Sequence, residues 1–244
     1  MRGTEARIFI SDLDFSSSTS ELSVETTTTE IESATLTSQV ADYAPTINDG
    51  KISVNGYFYG VSPSLNEAVM YAAMANPTKI VSAIFDYQNL PCPAYVIENA
   101  FGQDMNWSAP VDGLITMNGT FHGKSGMKRG LLMQYKTSRA AAAAGTAVQI
   151  PGVLSTMAIR SYVFIHSVVG TQSTAITCKI QNSANGTSGW SDKATFSFGT
   201  SVTPGAQAAA ITSPTGEYFN LNVTSLGGAT SFTVSWILSV TGLT

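Results

Sequence analysis

Charge is the scarcest ingredient of this chain of 244 residues: Lys, Arg, Asp and Glu make up only 11% of it, less than half of the roughly 25% usual in soluble domains. With 12 basic against 16 acidic residues the formal net charge is −4, which excludes a basic nucleic-acid binder as a first reading. Because the apolar fraction is an ordinary 43%, Ser, Thr, Asn and Gln must finish the surface. Cysteine is nearly absent too. Cys92 lies between Pro91 and Pro93, whereas Cys178 alternates in phase with Ile176 and Ile180, as an apolar core thiol does. Two isolated cysteines and two isolated histidines, His122 and His166, have no metal-ligand spacing, so neither metal nor cofactor is expected. No apolar run approaches the roughly 18 residues of a membrane span, and no signal-like stretch follows Met1 to Glu5. The expectation is a soluble protein, made in the cytosol, with no membrane partner.

What is present is a strand period. In Lys51 to Tyr59, Ile52, Val54 and Phe58 fall on one face and Ser53, Asn55 and Tyr57 on the other, the alternation of a half-buried strand. From Ser231 to Val240, Phe232, Val234, Trp236, Leu238 and Val240 oppose serines and a threonine, with Ile237 the exception. Glu21–Thr29, Lys79–Tyr87, Arg160–Val169, Thr174–Gln181 and Tyr218–Val223 read alike, and Gly, Pro, Asn and Ser fill the connections. One helix is predicted: Ser62 caps it, Pro63 takes its first position, Leu65, Ala68, Val69, Ala72 and Ala73 form its apolar stripe, and Asn76-Pro77 ends it. The fold class is mainly β, barrel- or sandwich-like, with one short helix.

A repeat organises the first half. Asp49-Gly-Lys-Ile-Ser-Val-Asn-Gly-Tyr-Phe58 and Asp112-Gly-Leu-Ile-Thr-Met-Asn-Gly-Thr-Phe121 agree at Asp, Gly, Ile, Asn, Gly and Phe, and Ala-Pro precedes each copy. Such agreement arises either by coincidence in a biased composition or from two related strands, each entered by an Asp-Gly turn, with Gly56 and Gly119 marking a bend or bulge. Composition changes near residue 130. Residues 1–130 hold 14 acids and 7 bases, net −7, and residues 131–244 hold 2 acids and 5 bases, net +3. Two domains are therefore expected, 1–130 and 131–244, joined near the alanine run 140–144, which reads as linker.

Catalytic chemistry has little to work with. Each histidine sits inside a strand pattern, and Glu21, Glu25, Glu30 and Glu32 lie among Ser and Thr rather than in an aromatic cleft that would raise a carboxyl pKa. No phosphate-binding glycine loop precedes a helix. An enzyme is not expected. The segment Lys179 to Trp190, a strand, a polar turn and a Trp, is laid out like a sugar-stacking site, with Trp190, Asn182 and Asn185 as the contacts. The plainer reading is that Trp190 closes the end of a sandwich core.

The segment Ile10-Ser-Asp-Leu-Asp through Glu21-Leu-Ser-Val-Glu-Thr-Thr-Thr-Thr-Glu30, then Asp49 to Phe58 and the capped helix, resembles the tail tube (major tail) proteins of long-tailed bacteriophages. The copy Asp112 to Phe121, followed by Gly123-Lys-Ser-Gly126, fits that family's second half. Residues 131–244 resemble the β-sandwich, Ig-like or jelly-roll, that some of these proteins carry as an extension. Ala34 to Tyr43 departs from the pattern by lacking a short glycine turn. The resemblance implies a virion tail protein made in the host cytoplasm. Its copies would form rings, commonly hexamers, stacked into a tube that contacts other tail proteins and passes DNA without binding it specifically. A conduit for a polyanion should be neutral or acidic inside, so Glu21, Glu25, Glu30 and Glu32 either face the lumen or only keep the free subunit soluble. The rival is a carbohydrate-binding or surface-decoration module.

Overall fold

A computed structural model describes residues 5–32, 43–57, 79–111, 113–123, 126–201 and 204–241, with side chains not described for 28–49. The described chain is almost entirely strand. The segment that carries the predicted helix, Ser62 to Asn76, lies outside the described residues, as does most of Ala34 to Tyr43.

Two compact units emerge. One takes Met1–Asp14, Ile84–Ala94 and Arg129–Thr244; the other takes Phe15–Ala83 and Tyr95–Lys128. Two short pieces of the first half of the sequence, Met1–Asp14 and Ile84–Ala94, group with Arg129–Thr244.

In chain order the strands are β1 Arg7–Ile10, β2 Leu13–Asp14, β3 Thr19–Glu32, β4 Tyr43–Tyr57, β5 Lys79–Ile84, β6 Cys92–Ser108, β7 Thr116–Gly123 and β8 Met127–Arg139. They continue with β9 Val148–Gln149, β10 Ile159–Val169, β11 Ile176–Ser183, β12 Ser191–Phe198, β13 Gly205–Ile211, β14 Tyr218–Ser225 and β15 Ser231–Val240.

The later unit holds two sheet layers. In one, β10 lies between β13 and β15, and β15 pairs on with β8; in the other the order is β12-β11-β14-β9. All the pairings are antiparallel, and the alternation of each strand turns one row inward. Val163 and Ile165 of β10, Val234 and Trp236 of β15, Ile176, Cys178 and Ile180 of β11 and Phe219 and Leu221 of β14 share one core. Trp236, 1% exposed, donates its indole N–H to Ser161 Oγ at 2.9 Å, so its polar edge is satisfied inside.

Strand β15 is buried more completely than its alternation predicts, because Ser235, Ile237 and Ser239 on its other face are covered too. Part of the cover on that side comes from the first residues of the chain. Phe9 packs against Phe164 at 5.5 Å and His166 at 4.7 Å between ring centroids. His166 reaches the backbone carbonyl of Asp12 with Nδ1 at 2.7 Å and Ser235 Oγ with Nε2 at 2.9 Å. Ser239 Oγ donates to the carbonyl of Arg129 at 2.7 Å.

The earlier unit is built on the repeat. Strands β4 and β7, which carry the two copies, lie side by side and antiparallel with Asn55 directly opposite Asn118. The motif is thus paired with itself about a local two-fold relation. Ser53 faces Thr120, and their counterparts in the other copies, Thr116 and Tyr57, face each other in turn. Outside this pair, β3 joins β4 and β6 joins β7, giving the order β3-β4-β7-β6. Two hairpins therefore meet through their second strands. Neither Gly56 nor Gly119 interrupts the ladder between the copies; the slip opposite Gly56 is taken up in β3, between Thr19 and Glu21. The inner face buries Ile52, Val54, Met117 and Phe121.

Candidate functional site

The other face of the β3-β4-β7-β6 sheet is mostly polar, with Phe101 the apolar exception at its β6 edge. Cross-strand partners place their side chains on the same face, so three rows follow from the register. Glu21, Asn55, Asn118 and Asn106 form one row, Ser23, Ser53, Thr120 and Asp104 the next, and Glu25, Lys51, His122 and Phe101 the third. None of these twelve residues is buried. Hydrogen bonds tie neighbours along the rows: Asn55 Nδ2 donates to Glu21 Oε2 at 2.7 Å, and the hydroxyls of Ser53 and Thr120 are 3.2 Å apart. Lys51 Nζ lies 2.8 Å from Glu25 Oε2, and the rings of Phe101 and His122 stack at 6.0 Å. Among these twelve residues Glu21, Glu25 and Asp104 stand against one cation, Lys51, a net charge near −2 spread over small neutral amides and hydroxyls.

Of the four acids singled out from the sequence, Glu21 and Glu25 are exposed on this face. The backbones of Glu30 and Glu32 continue β3, opposite Pro45 and Tyr43, and their side chains lie outside the described residues. The structure adds Asp104, Asn106, Asn118 and Thr120. Alternation within the second repeat copy could have assigned Asn118 and Thr120. Asp104 is hidden by a register slip between Gly102 and Asp104, which shifts the phase of β6.

The three residues of the sugar-stacking reading sit in different environments. Asn182 is fully buried. Its Oδ1 accepts from the backbone N–H groups of Thr215 and Gly216 and from Thr215 Oγ1, and its Nδ2 donates to the carbonyls of Gly216 and Tyr218. The amide is spent on the fold, with no donor left for a ligand. Gly216 suits this close approach, since a Cβ there would lie 2.4 Å from Ala184 Cα. Asn185 is exposed, but its Oδ1 accepts from the backbone of Thr187 and Ser188 and so shapes its own turn. Trp190 is half-buried. The phase was legible: Asn182 continues the inward row Ile176, Cys178, Ile180.

Among the described residues no accessible nucleophile is hydrogen-bonded to a histidine. His166 and Ser235 do form a pair, yet Ser235 is fully buried and also accepts the backbone N–H of Lys136. The contact with the Asp12 carbonyl requires the proton on Nδ1, leaving Nε2 to accept from the Ser235 hydroxyl. Burial is the main cause that lowers the His166 pKa to about 4, which keeps it neutral as a structural link. Burial likewise raises Cys92 and Cys178 to about 12, so neither is a thiolate near neutral pH. Among the described residues no group of three or more His, Cys, Asp or Glu is placed to hold a metal.

No protein-family model matches the sequence, and no curated protein matches it. Among solved structures the chain is similar to a chain in the virion of the native gene transfer agent particle, at 10% identity over 53% of this chain and 98% of that one, with a TM-score of 0.42. It is also similar to the tail tube of SPP1, at 10% identity over 55% and 81%, with a TM-score of 0.44. A third neighbour is the SPP1 Dit protein, described as a hub of the adsorption apparatus in phages infecting Gram-positive bacteria, at 10% identity over 96% and 98%, with a TM-score of 0.32.

Proposed function

We propose that the chain is a structural subunit of a phage tail. Its copies close into rings, hexamers by the family resemblance, and the rings stack into a tube that contacts other tail proteins and conducts the genome. In this reading the tube domain lies within residues 1–130, and the two-layer domain of residues 131–244 is its extension.

The observation that carries the reading is the β3-β4-β7-β6 sheet. It joins two hairpins that carry the repeat into one broad wall with an apolar back and a wetted face whose described side chains include one cation, Lys51. Among the described residues β3 hydrogen-bonds only to β4, so a 14-residue edge is available to a neighbouring copy, and a ring leaves no such edge open. The wetted face suits a lumen. DNA carries about one negative charge per 1.7 Å and binds Lys- and Arg-lined surfaces, whereas amides, hydroxyls and a few carboxylates give it nothing to hold.

Negative-stain microscopy of the purified chain over a concentration series tests the assembly. Rings or hollow tubes at high concentration are the expected result, and a lone compact particle at every concentration overturns it. The lumen assignment is tested separately, by replacing Glu21, Glu25, Glu30 and Glu32 with Lys in the assembled particle. Tubes of normal form that eject DNA more slowly, most of all in low salt where screening is weak, are expected. Ejection at the unaltered rate would mean that these acids serve only solubility.

A further inference from the structure

The wall ends in an apolar rim. Beyond Gly102 no described residue up to Ile115 is buried, and the turn that joins β6 to β7 reads Ala109-Pro-Val-Asp-Gly-Leu-Ile115. Val111 is 101% exposed, Leu114 61% and Ile115 39%, with Trp107 at 39% and Tyr57 at 36%. These five belong to one place. Ser108 and Tyr57 pair with Thr116 from either side, and Trp107 pairs with Met117. Strand spacing then sets Tyr57 and Ser108 about 10 Å apart. Tyr57 shares the wetted face with Thr116, and Trp107 shares the inner face with Met117, so the two aromatics flank the aliphatic tip on opposite sides of the sheet. The backbone is anchored: Tyr57 N–H donates to the Ser18 carbonyl at 2.8 Å and Gly113 N–H to the Pro110 carbonyl at 3.4 Å.

Such a cluster exposes on the order of a few hundred Å² of apolar surface, the range in which a patch marks an interaction site. A lipid surface is a poor occupant. Asp104 and Asp112 are the charges nearest the tip along the chain, with no Lys or Arg between Lys79 and Lys124, and anionic headgroups attract basic rims. A copy of the same chain is a better one. The unit that carries the rim holds four Lys and Arg against ten Asp and Glu, net −6, while the other unit holds eight against six, net +2. Rim against rim is repulsive; rim against the opposite unit of a neighbour is attractive, and that contact is heterologous, so it propagates.

We infer that the rim Tyr57, Trp107, Val111, Leu114 and Ile115 docks onto the Arg129–Thr244 unit of a neighbouring copy. Because the patch is well below the roughly 800 Å² per partner of a stable pair, it holds only where other contacts of the assembly act with it. This contact deepens the tube reading and rests on it.

The test combines Val111→Ser with Leu114→Ser, the two most exposed apolar side chains of the rim, and a photo-crosslinking residue placed at Val111 in the full chain. The double variant should keep the far-UV spectrum and melting temperature of the parent while raising the concentration at which assemblies appear by about tenfold or more. Crosslinked dimers should map to residues 129–244 of the second copy. Assembly at an unchanged concentration, adducts confined to residues 15–83 or 95–128, or phosphatidylglycerol vesicle binding that the double variant abolishes would each overturn the contact. Rings that form normally without such adducts remove the contact but leave the tube. Dimer adducts to residues 129–244 in a chain that never makes rings sustain the contact and remove the tube.

Discussion

The two units treat polar atoms in opposite ways. In the later unit the Asn182 amide is satisfied completely inside the fold: it takes five hydrogen bonds and fixes the Thr215–Tyr218 turn against β11. The sheet of the earlier unit leaves its amides and hydroxyls in water across four strands and leaves large apolar side chains at its end. A surface that is satisfied inward stabilises a fold. One that is polar, weakly charged and open on a broad face, with an apolar rim, is what the proposed tube asks of its wall. In the proposed tube the difference assigns stability of the fold to the Arg129–Thr244 region and contacts between copies to the β3-β4-β7-β6 sheet.

The largest expected effect sharpens that division. Trp236→Ala removes a side chain that is 1% exposed and orphans Ser161 Oγ inside the core, so urea unfolding should register a loss of about 3–5 kcal/mol. Leu114→Ser, by contrast, should stay within about 0.5 kcal/mol of the parent. Comparable losses at both positions would mean that the rim is part of a core and the contrast between the units is false.

Acid should act on the closed unit next. The ordinary His pKa of 6.5 applies to the unfolded chain, and burial lowers the folded His166 to about 4. As pH falls the unfolded state takes up the proton first. The stability tied to neutral His166 is therefore complete above pH 6.5, declines between 6.5 and 4, and is flat below 4. The decline amounts to about 3 kcal/mol, visible as a falling urea midpoint. His166→Gln should unfold more easily at pH 7.5 yet show a shallower decline over the same interval. An identical slope in parent and variant would show that His166 is not the group titrating.

How much of this was legible in the sequence depends on the distance between partners. Strand alternation placed Ile52, Val54, Cys178, Phe232 and Trp236 on buried faces, because period two is a local property. The same alternation gave Ser235 and Ser239 to solvent, where the structure buries them against His166 and the Arg129 carbonyl; those contacts join residues about seventy to over a hundred positions apart. The repeat was visible as similarity, but nothing in two like segments says that they will pair with each other. Asn182 drew attention for its polar setting, although its phase with Ile180 pointed inward. The open face was only half readable, since the slip between Gly102 and Asp104 hides the phase of Asp104.

The smallest effect tests the open face itself. Lys51 and Glu25 are 2.8 Å apart, with their side chains 39% and 59% exposed, and a pair held in water gains little Coulomb energy over its two hydrated ions while losing side-chain freedom. A double-mutant cycle with Lys51→Ala and Glu25→Ala should return a coupling below about 1 kcal/mol, shrinking further in high salt. A coupling of several kcal/mol in the unassembled subunit would mean that this row is desolvated, and the face could not then be the water-filled wall of a conduit. If the coupling is small in the free subunit and remains small after assembly, the row still meets water in the ring, as a lumen requires. A coupling that grows on assembly would instead place Glu25 and Lys51 at a contact between copies.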